Sequence, residues 1–403
     1  MRGLLGVSLR HSYSPRLHAL LGDPDYRLFE VAPAALDGFL RHEKFDGLNV
    51  TIPYKKAVLP YCAALSPAAR AIGAVNTLVR QDDGTLCGYN TDFDGFLWLL
   101  RHNFTPVPGE PALVLGSGGA GATVCAALAA VGMHPIAVSR QGEVNYVNLY
   151  EHDDAVLLVN ATPVGMYPHN GECPVELPRL PRLRCVLDLI YNPARTALLL
   201  EAERLGLRCE GGLPMLVEQA RRAAELFRHR ELPVHCTEGI LCKLSAEMQN
   251  LILIGMPGCG KTTVGRALAA ALHRPFADAD ELLEQRLGCS CADFLRRAGE
   301  DAFRRAETAV LAELGKRSGC VIATGGGCVT REENYPLLHQ NGRILRLRRD
   351  LSRLALDGRP LSAATDLATL SARREPHYRR FSDGEIDNNG TVAQTVAAIL
   401  EAL

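Results

Sequence analysis

No run of 18 uninterrupted apolar residues occurs in this 403-residue chain, so no segment reads as a membrane-spanning helix. Neither sign of charge prevails. The 44 basic and 45 acidic residues leave a net charge of −1, which argues against a general binder of nucleic acid or of acidic membranes, since both need a basic surface. No CxxC pair is present. The 13 cysteines are scattered, with only Cys289 and Cys291 close together, so neither a disulfide framework nor a zinc site is expected and a cytoplasmic, reduced protein is the natural reading. The N-terminus turns polar too soon for a signal peptide. Low-complexity tracts and fixed-period repeats are missing too. Lysine is scarce, six of the 44 basic residues, so each one invites inspection, because an amine can trade a proton and a guanidinium cannot.

What is there is an α/β pattern of two or three domains, each large enough to bury its own core. Two segments share one design: a short apolar strand, a glycine-rich turn and a small-residue helix. In the first, residues 113–115 lead into Gly116-Ser117-Gly118-Gly119-Ala120-Gly121, with a helix expected over 122–131. This G-x-G-x-x-G lets backbone N–H groups approach a pyrophosphate at the helix's positive end. The next strand, 135–138, ends in Ser139-Arg140 rather than in an acidic residue. A hydroxyl and a guanidinium suit a ribose 2′-phosphate, which predicts NADP; as an isolated surface residue, Arg140 would be only a solvated charge. The chain returns to a strand by 155–160, leaving little room for the usual second helix.

Upstream lie three polar clusters, each expected near the C-terminal edge of a strand: His11-Ser12-Tyr13-Ser14-Pro15, Asn49-Val50-Thr51-Ile52-Pro53-Tyr54-Lys55 and Gly88-Tyr89-Asn90-Thr91-Asp92. Lys55 with Asp92 offers an ammonium and the carboxylate to hold it. Ser12, Asn49 and Asn90 equally suit caps of turns and helices.

Seven motifs in order resemble shikimate dehydrogenase across about the first 235 residues: 11–18, 49–55, 73–77, 90–95, 116–121, 160–166 and 212–220. The resemblance implies a substrate domain at 1–96, completed by helices at about 212–235, and a Rossmann NADP domain at 97–211. It implies that Ser12 and Ser14 grip a carboxylate, and that Thr51, Asn76, Asn90 and Gln219 read ring hydroxyls. Tyr191 would stand near the substrate and Met215 near the cofactor, with Gly116, Gly118, Gly119, Ala120, Gly121, Ser139 and Arg140 around NADP. Lys55 and Asp92 become the catalytic pair for reduction of 3-dehydroshikimate by NADPH.

The second glycine-rich segment, Gly255-Met256-Pro257-Gly258-Cys259-Gly260-Lys261-Thr262, is a full G-x4-G-K-T between an apolar strand and a helix. Backbone N–H groups would cradle phosphates, Lys261 neutralise the transferring group and Thr262 hold Mg²⁺. Asp278 and Asp280 are expected at the end of the next strand, on one face, one for the metal and one for a hydroxyl, with a helix N-cap as the competing role of Asp280. Arginines follow in several loops, Arg304, Arg359 and Arg374 among them, with Gly325-Gly326-Gly327 between.

From Leu251 onward the order of motifs resembles shikimate kinase. That resemblance places ATP on Gly258, Cys259, Gly260, Lys261, Thr262 and Thr263, and Mg²⁺ on Thr262 and Asp278. Asp280 would hold the acceptor hydroxyls, with Lys261 and Asp280 as catalytic residues. Arg304, Arg374, Gly326 and Gly327 would bind shikimate, with Glu307 supporting the clamp, and Arg359 would belong to a lid over ATP. A nucleoside-monophosphate-kinase-like P-loop domain at 251–403 is therefore expected, joined by a linker at 232–250 in which Ile240, Leu241, Leu244 and Met248 fit a short amphipathic helix. The expected chain is a two-activity enzyme whose first product is the acceptor of its second site. Two rivals remain compatible: a quinate- or NAD-using dehydrogenase fused to a related kinase, and an inactive metabolite-sensing regulator.

Overall fold

In a computed structural model, residues 1–9, 12–354 and 367–403 are described. The chain divides into two compact units, Met1–Leu244 and Ser245–Leu403.

The first unit holds two sheets. One contains strands β1 (Arg2–Gly6), β2 (Arg27–Glu30), β3 (Gly47–Val50), β4 (Ala64–Leu65), β5 (Thr77–Arg80) and β6 (Leu86–Tyr89), in the order β2-β1-β3-β5-β6-β4. β5 runs antiparallel to both of its neighbours. The other contains β7 (Pro111–Leu115), β8 (His134–Val138), β9 (Leu157–Asn160), β10 (Cys185–Asp188) and β11 (Arg208–Glu210), all parallel, in the order β11-β10-β9-β7-β8. β7 and β9 are buried along most or all of their length, as parallel strands covered on both faces must be. The order reverses at β7, which places the glycine-rich loop at the switch point where open α/β sheets collect ligands.

Two helices join the sheets. Thr91–Asn103 follows β6, and Leu213–Arg228 returns from the second sheet to lie along it. The approach is close because Gly95 carries no side chain: a Cβ there would stand 2.7 Å from the carbonyl oxygen of Met215. Between β8 and β9 there is only a single 3-10 turn, Leu149–Glu151, as the short spacing implied.

The expected amphipathic helix in the connecting segment is His235–Met248, and the boundary between the units falls inside it. Ile240 and Leu244 pack with Leu17, Leu21, Val217 and Ala220 of the first unit. A buried ionic network ties down the entry to this helix. Arg221 pairs with Glu218 and Glu225 and donates to Leu232 O, while Thr237 donates to Glu218.

The second unit is one parallel sheet of β12 (Asn250–Ile254), β13 (Phe276–Asp278), β14 (Val321–Ala323), β15 (Gly342–Arg348) and β16 (Gly384–Asp387), in the order β13-β14-β12-β15-β16. Every residue of β12 is buried, and its loop opens directly into the helix Lys261–Leu272.

Candidate active sites

At the first site Lys55 stands in the short helix Tyr54–Ala57 just beyond β3, and Asp92 in the first turn of the helix after β6. The β3–β5–β6 pairing brings these ends together, and Lys55 Nζ donates to Asp92 Oδ2 at 2.7 Å. Both side chains remain partly open to solvent, so the ammonium is held without being sealed away.

The surrounding amides are already occupied. Asn76 Oδ1 accepts the main-chain N–H of Thr91 at 2.7 Å, and its Nδ2 reaches the Thr91 hydroxyl. Asn90 caps the helix through Phe93 N and donates to Ala74 O. Asn49 spans Tyr26 and Thr77. The Asn76 and Asn90 contacts fix the start of the helix that carries Asp92, so Asn90 takes the capping role open to it from the sequence, whereas Asn49 bridges Tyr26 and Thr77 instead. Ser12 and Ser14 stand 3.1 Å apart, hydroxyl to hydroxyl, beside the helix Ser14–Leu20, whereas His11 lies outside the described residues. Gln219 donates to Leu216 O. Thr51 follows β3, its N–H bonded to Leu5 O.

Tyr191, in the loop after β10, meets Tyr13 edge-on, with ring centroids 5.8 Å apart. Burial raises the pKa of Tyr191, with Tyr13 adding to it, and burial likewise raises that of Tyr13, so both phenols stay protonated at neutral pH. Tyr13 lies within the first polar cluster, yet nothing in its spacing singles it out.

In the dinucleotide loop the helix begins at Gly119, three residues earlier than expected, because Gly118 caps it and the glycine turn runs straight into the first helical turn. Gly116 has φ of +104°, and Gly121 approaches so closely that a Cβ would lie 1.9 Å from Gly116 O. Gly118, Gly119 and Ala120 line the helix start; a Cβ on Gly118 or Gly119 would meet open space. Ser139 follows β8 with its N–H on Val144 O, and Arg140 is exposed, without a carboxylate partner among the described residues. Met215 packs against the core beneath this sheet. The far wall comes from the loop after β9: Thr162 N and Oγ1 donate to Asn160, which donates to Asp188, which accepts from Thr196. Asp188 has no exposed surface, and burial raises its pKa to about 6. A narrow glycine floor, a free helix N-terminus and an unpaired guanidinium fit a phosphorylated dinucleotide.

At the second site the loop after β12 leaves the N–H groups of Gly258, Gly260, Lys261 and Thr262 without an acceptor among the described residues. Lys261 Nζ lies over the loop, 2.9 Å from Gly255 O and 3.1 Å from Met256 O. Cys259 is fully buried beneath it, and Thr263 is exposed. Thr262 donates to Asp278 Oδ2 at 2.7 Å, a hydroxyl–carboxylate couple that fits the inner or outer shell of Mg²⁺.

The placement of the two aspartates differs from expectation. The strand ends at Asp278, which itself caps the helix Ala279–Leu287 by accepting from Asp280 N and Glu281 N. Asp280 therefore sits in the first helical turn and not on an extended strand. A cap and a strand end look alike in sequence, and the carboxylate nearer the strand took the cap. Asp280 still reaches the acceptor side, since a Cβ on Gly325 would lie 2.8 Å from its Oδ1 and 2.4 Å from Glu307 Oε1.

Arg304 and Arg374 converge on the same glycine loop. Arg304 is buried, pairs with Glu307 at 2.8 Å, and has its Nη2 2.1 Å from where a Cβ of Gly327 would be. Arg374, on the helix Leu367–Phe381, donates to Gly326 O at 3.1 Å, and Tyr378 one turn on donates to the same oxygen at 2.6 Å. The sequence gives Tyr378 no role of its own. Arg359 lies outside the described residues, and Arg353 donates to Asn389 O.

Comparison with known proteins covers both units. A family model for the shikimate dehydrogenase substrate-binding domain matches residues 4–78, and one for shikimate kinase matches 257–403. The chain is 42% identical over 258 residues to an NADP-dependent shikimate dehydrogenase of Oleidesulfovibrio alaskensis, covering 57% of this chain and 90% of that protein. Among solved structures, it resembles a shikimate dehydrogenase of Thermus thermophilus crystallised with NADP(H) and shikimate, at 35% identity and a TM-score of 0.54, over 60% of this chain and 98% of the other. A quinate dehydrogenase of Corynebacterium glutamicum in complex with NAD is 29% identical with the same TM-score of 0.54, over 60% of this chain and 98% of that one.

Proposed function

Because the chain belongs to the shikimate dehydrogenase family and ends in a shikimate kinase domain, we propose that it reduces 3-dehydroshikimate to shikimate and then phosphorylates that product on its 3-hydroxyl. It is a bifunctional shikimate-pathway enzyme, an NADP-dependent oxidoreductase and an ATP-dependent phosphotransferase.

At the first site Gly116, Gly118, Gly119 and Gly121 would hold NADPH, with Arg140 toward its 2′-phosphate, and the bound cofactor would supply hydride for the ketone carbon. Lys55 delivers the proton to the ketone oxygen, and Asp92 keeps the ammonium aimed at it. Ser12 and Ser14 hold the substrate carboxylate, while Thr51 and Gln219 take its hydroxyls. Tyr191 covers the ring. At the second site residues 258–263, with Thr262 and Asp278 toward Mg²⁺, would hold Mg-ATP, which would supply the phosphoryl group. Arg304 and Arg374 fix the acceptor carboxylate against residues 325–327, and Asp280 accepts the proton of the attacking hydroxyl. Lys261 lies where charge grows on the transferred group.

The observation that supports this most strongly is the 2.7 Å Lys55–Asp92 pair, on a chain that also couples Thr262 to Asp278 at 2.7 Å. Purified protein given 3-dehydroshikimate, NADPH and Mg-ATP should yield shikimate 3-phosphate by mass spectrometry only when both cofactors are present. Shikimate as the sole product would refute the kinase assignment.

A further inference from the structure

We infer that Asn388 is a positioning residue for nucleotide binding. It locks the Cys259–Gly260 peptide so that its N–H, and not its carbonyl, is presented to phosphate. The inference rests on the reading of residues 255–262 as the nucleotide loop.

The loop has an inherent weakness. Gly260 has φ of +94°, and with no Cβ on that side the Cys259–Gly260 peptide can reverse at little steric cost. Reversal would turn the Cys259 carbonyl dipole toward the anion and withdraw the Gly260 N–H, replacing attraction with repulsion.

The structure holds one orientation from outside. The Cys259 carbonyl accepts from Asn388 Nδ2 at 2.5 Å, across 129 positions of sequence. A carbonyl can only accept, which fixes the amide with its nitrogen toward the loop. Its oxygen accepts from the Thr395 hydroxyl at 2.6 Å, and its main-chain N–H donates to Arg348 O at 2.7 Å. Asn388 is 2% exposed and Thr395 is 1% exposed, so water does not compete for these bonds. A Cβ on Gly260 would meet Asn388 Nδ2 at 2.9 Å and Arg349 Nη1 at 3.5 Å, so that flank of the loop is closed by side chains.

The test compares Asn388→Ala and Asn388→Asp with the parent protein by Mg-ADP titration calorimetry, steady-state kinetics and thermal unfolding. Asp keeps the shape but offers no donor and adds a charge beside the loop. Loss of one buried bond should weaken Mg-ADP binding about 10-fold in Asn388→Ala and ~100-fold or more in Asn388→Asp. The KM for shikimate and the rate of 3-dehydroshikimate reduction should stay within about twofold, a split that general loosening of the unit would not produce. Binding of Mg-ADP within twofold of the parent in both variants would overturn the inference. Should Asn388→Asp lose its cooperative unfolding, Thr395→Val decides: an approximately threefold weaker Mg-ADP affinity supports the lock, and unchanged affinity refutes it. Lys261→Ala, run alongside, separates the two levels. Phosphorylation surviving in Lys261→Ala would sink the loop reading itself, whereas its loss there with normal binding in both Asn388 variants would sink the lock alone.

Discussion

Arg304 lies so tightly on Gly327 that a methyl group there would stand 2.1 Å from its guanidinium. The glycine is thus part of how the cation is aimed. Gly327→Ala should push Arg304 off the Glu307 carboxylate and raise the KM for shikimate by about 10-fold or more, a loss on the scale of one charge-assisted bond. The KM for ATP should stay near its parent value. An equal rise in both constants would place the damage elsewhere.

The two lysines in the sites should separate the two activities. Lys55→Ala should lower the rate of 3-dehydroshikimate reduction by roughly 10²–10⁴-fold, the usual worth of a positioned acid, and leave shikimate phosphorylation intact. Lys261→Ala should do the reverse. Parallel assays on one preparation of each variant check this, and loss of both activities from either substitution contradicts independent sites.

The dinucleotide loop makes a contrast between neighbours. Gly121→Ala would drive a Cβ to 1.9 Å from Gly116 O, whereas Gly119→Ala meets nothing within 4 Å. The first should abolish measurable NADPH binding by fluorescence titration. The second should change affinity by no more than a few-fold.

Two buried groups in the first unit titrate in overlapping windows with opposite effect. Asp188 is raised to about 6 by burial, so the folded state keeps its proton longer than the unfolded chain, and stability falls as pH rises from about 4 to 6. His18, stacked on Tyr26 with centroids 3.9 Å apart, is lowered to about 4 by burial. Its contribution is present above the ordinary histidine range and is lost as pH falls toward 4. Each shift of about two pKa units corresponds to roughly 3 kcal/mol, so in the parent protein they largely cancel. Asp188→Asn should steepen the loss of stability on acidification, and His18→Phe, which keeps the stack, should flatten it. Urea unfolding at pH 4.5 and 7 checks both. Trp98, the chain's one tryptophan, sits in the first unit and reports it alone.

Both glycine-rich loops were legible because their chemistry demands glycine at fixed spacing between a strand and a helix. Lys55 and Asp92 were legible because the chain uses lysine so rarely and because the motifs around both resemble a known family. The order of strands across the sheets was not, since pairing such as β7 with β9 depends on residues that local periodicity cannot connect. Asp280 was misplaced, and the cap was credited to it rather than to Asp278, because a capping aspartate and a strand-end aspartate carry the same sequence signature. Asn388, Tyr378 and Tyr13 had no signal of their own. Each acts through one contact with a residue far away in the chain, and an asparagine at the end of a strand reads as an ordinary turn former.

The helix His235–Met248 begins as part of the first unit's core and ends at the threshold of the second. Anyone dividing this gene into two would face an awkward choice of scissors. A break placed at residue 231, where the dehydrogenase-like motifs have already finished, would strip Leu232, Thr237, Ile240 and Leu244 from partners they cover and leave Arg221 and Glu218 facing water. The shortened dehydrogenase would be sticky and prone to precipitate, while one ending at 249 should remain soluble. What looks on paper like spare connecting chain is inherited property of the first enzyme.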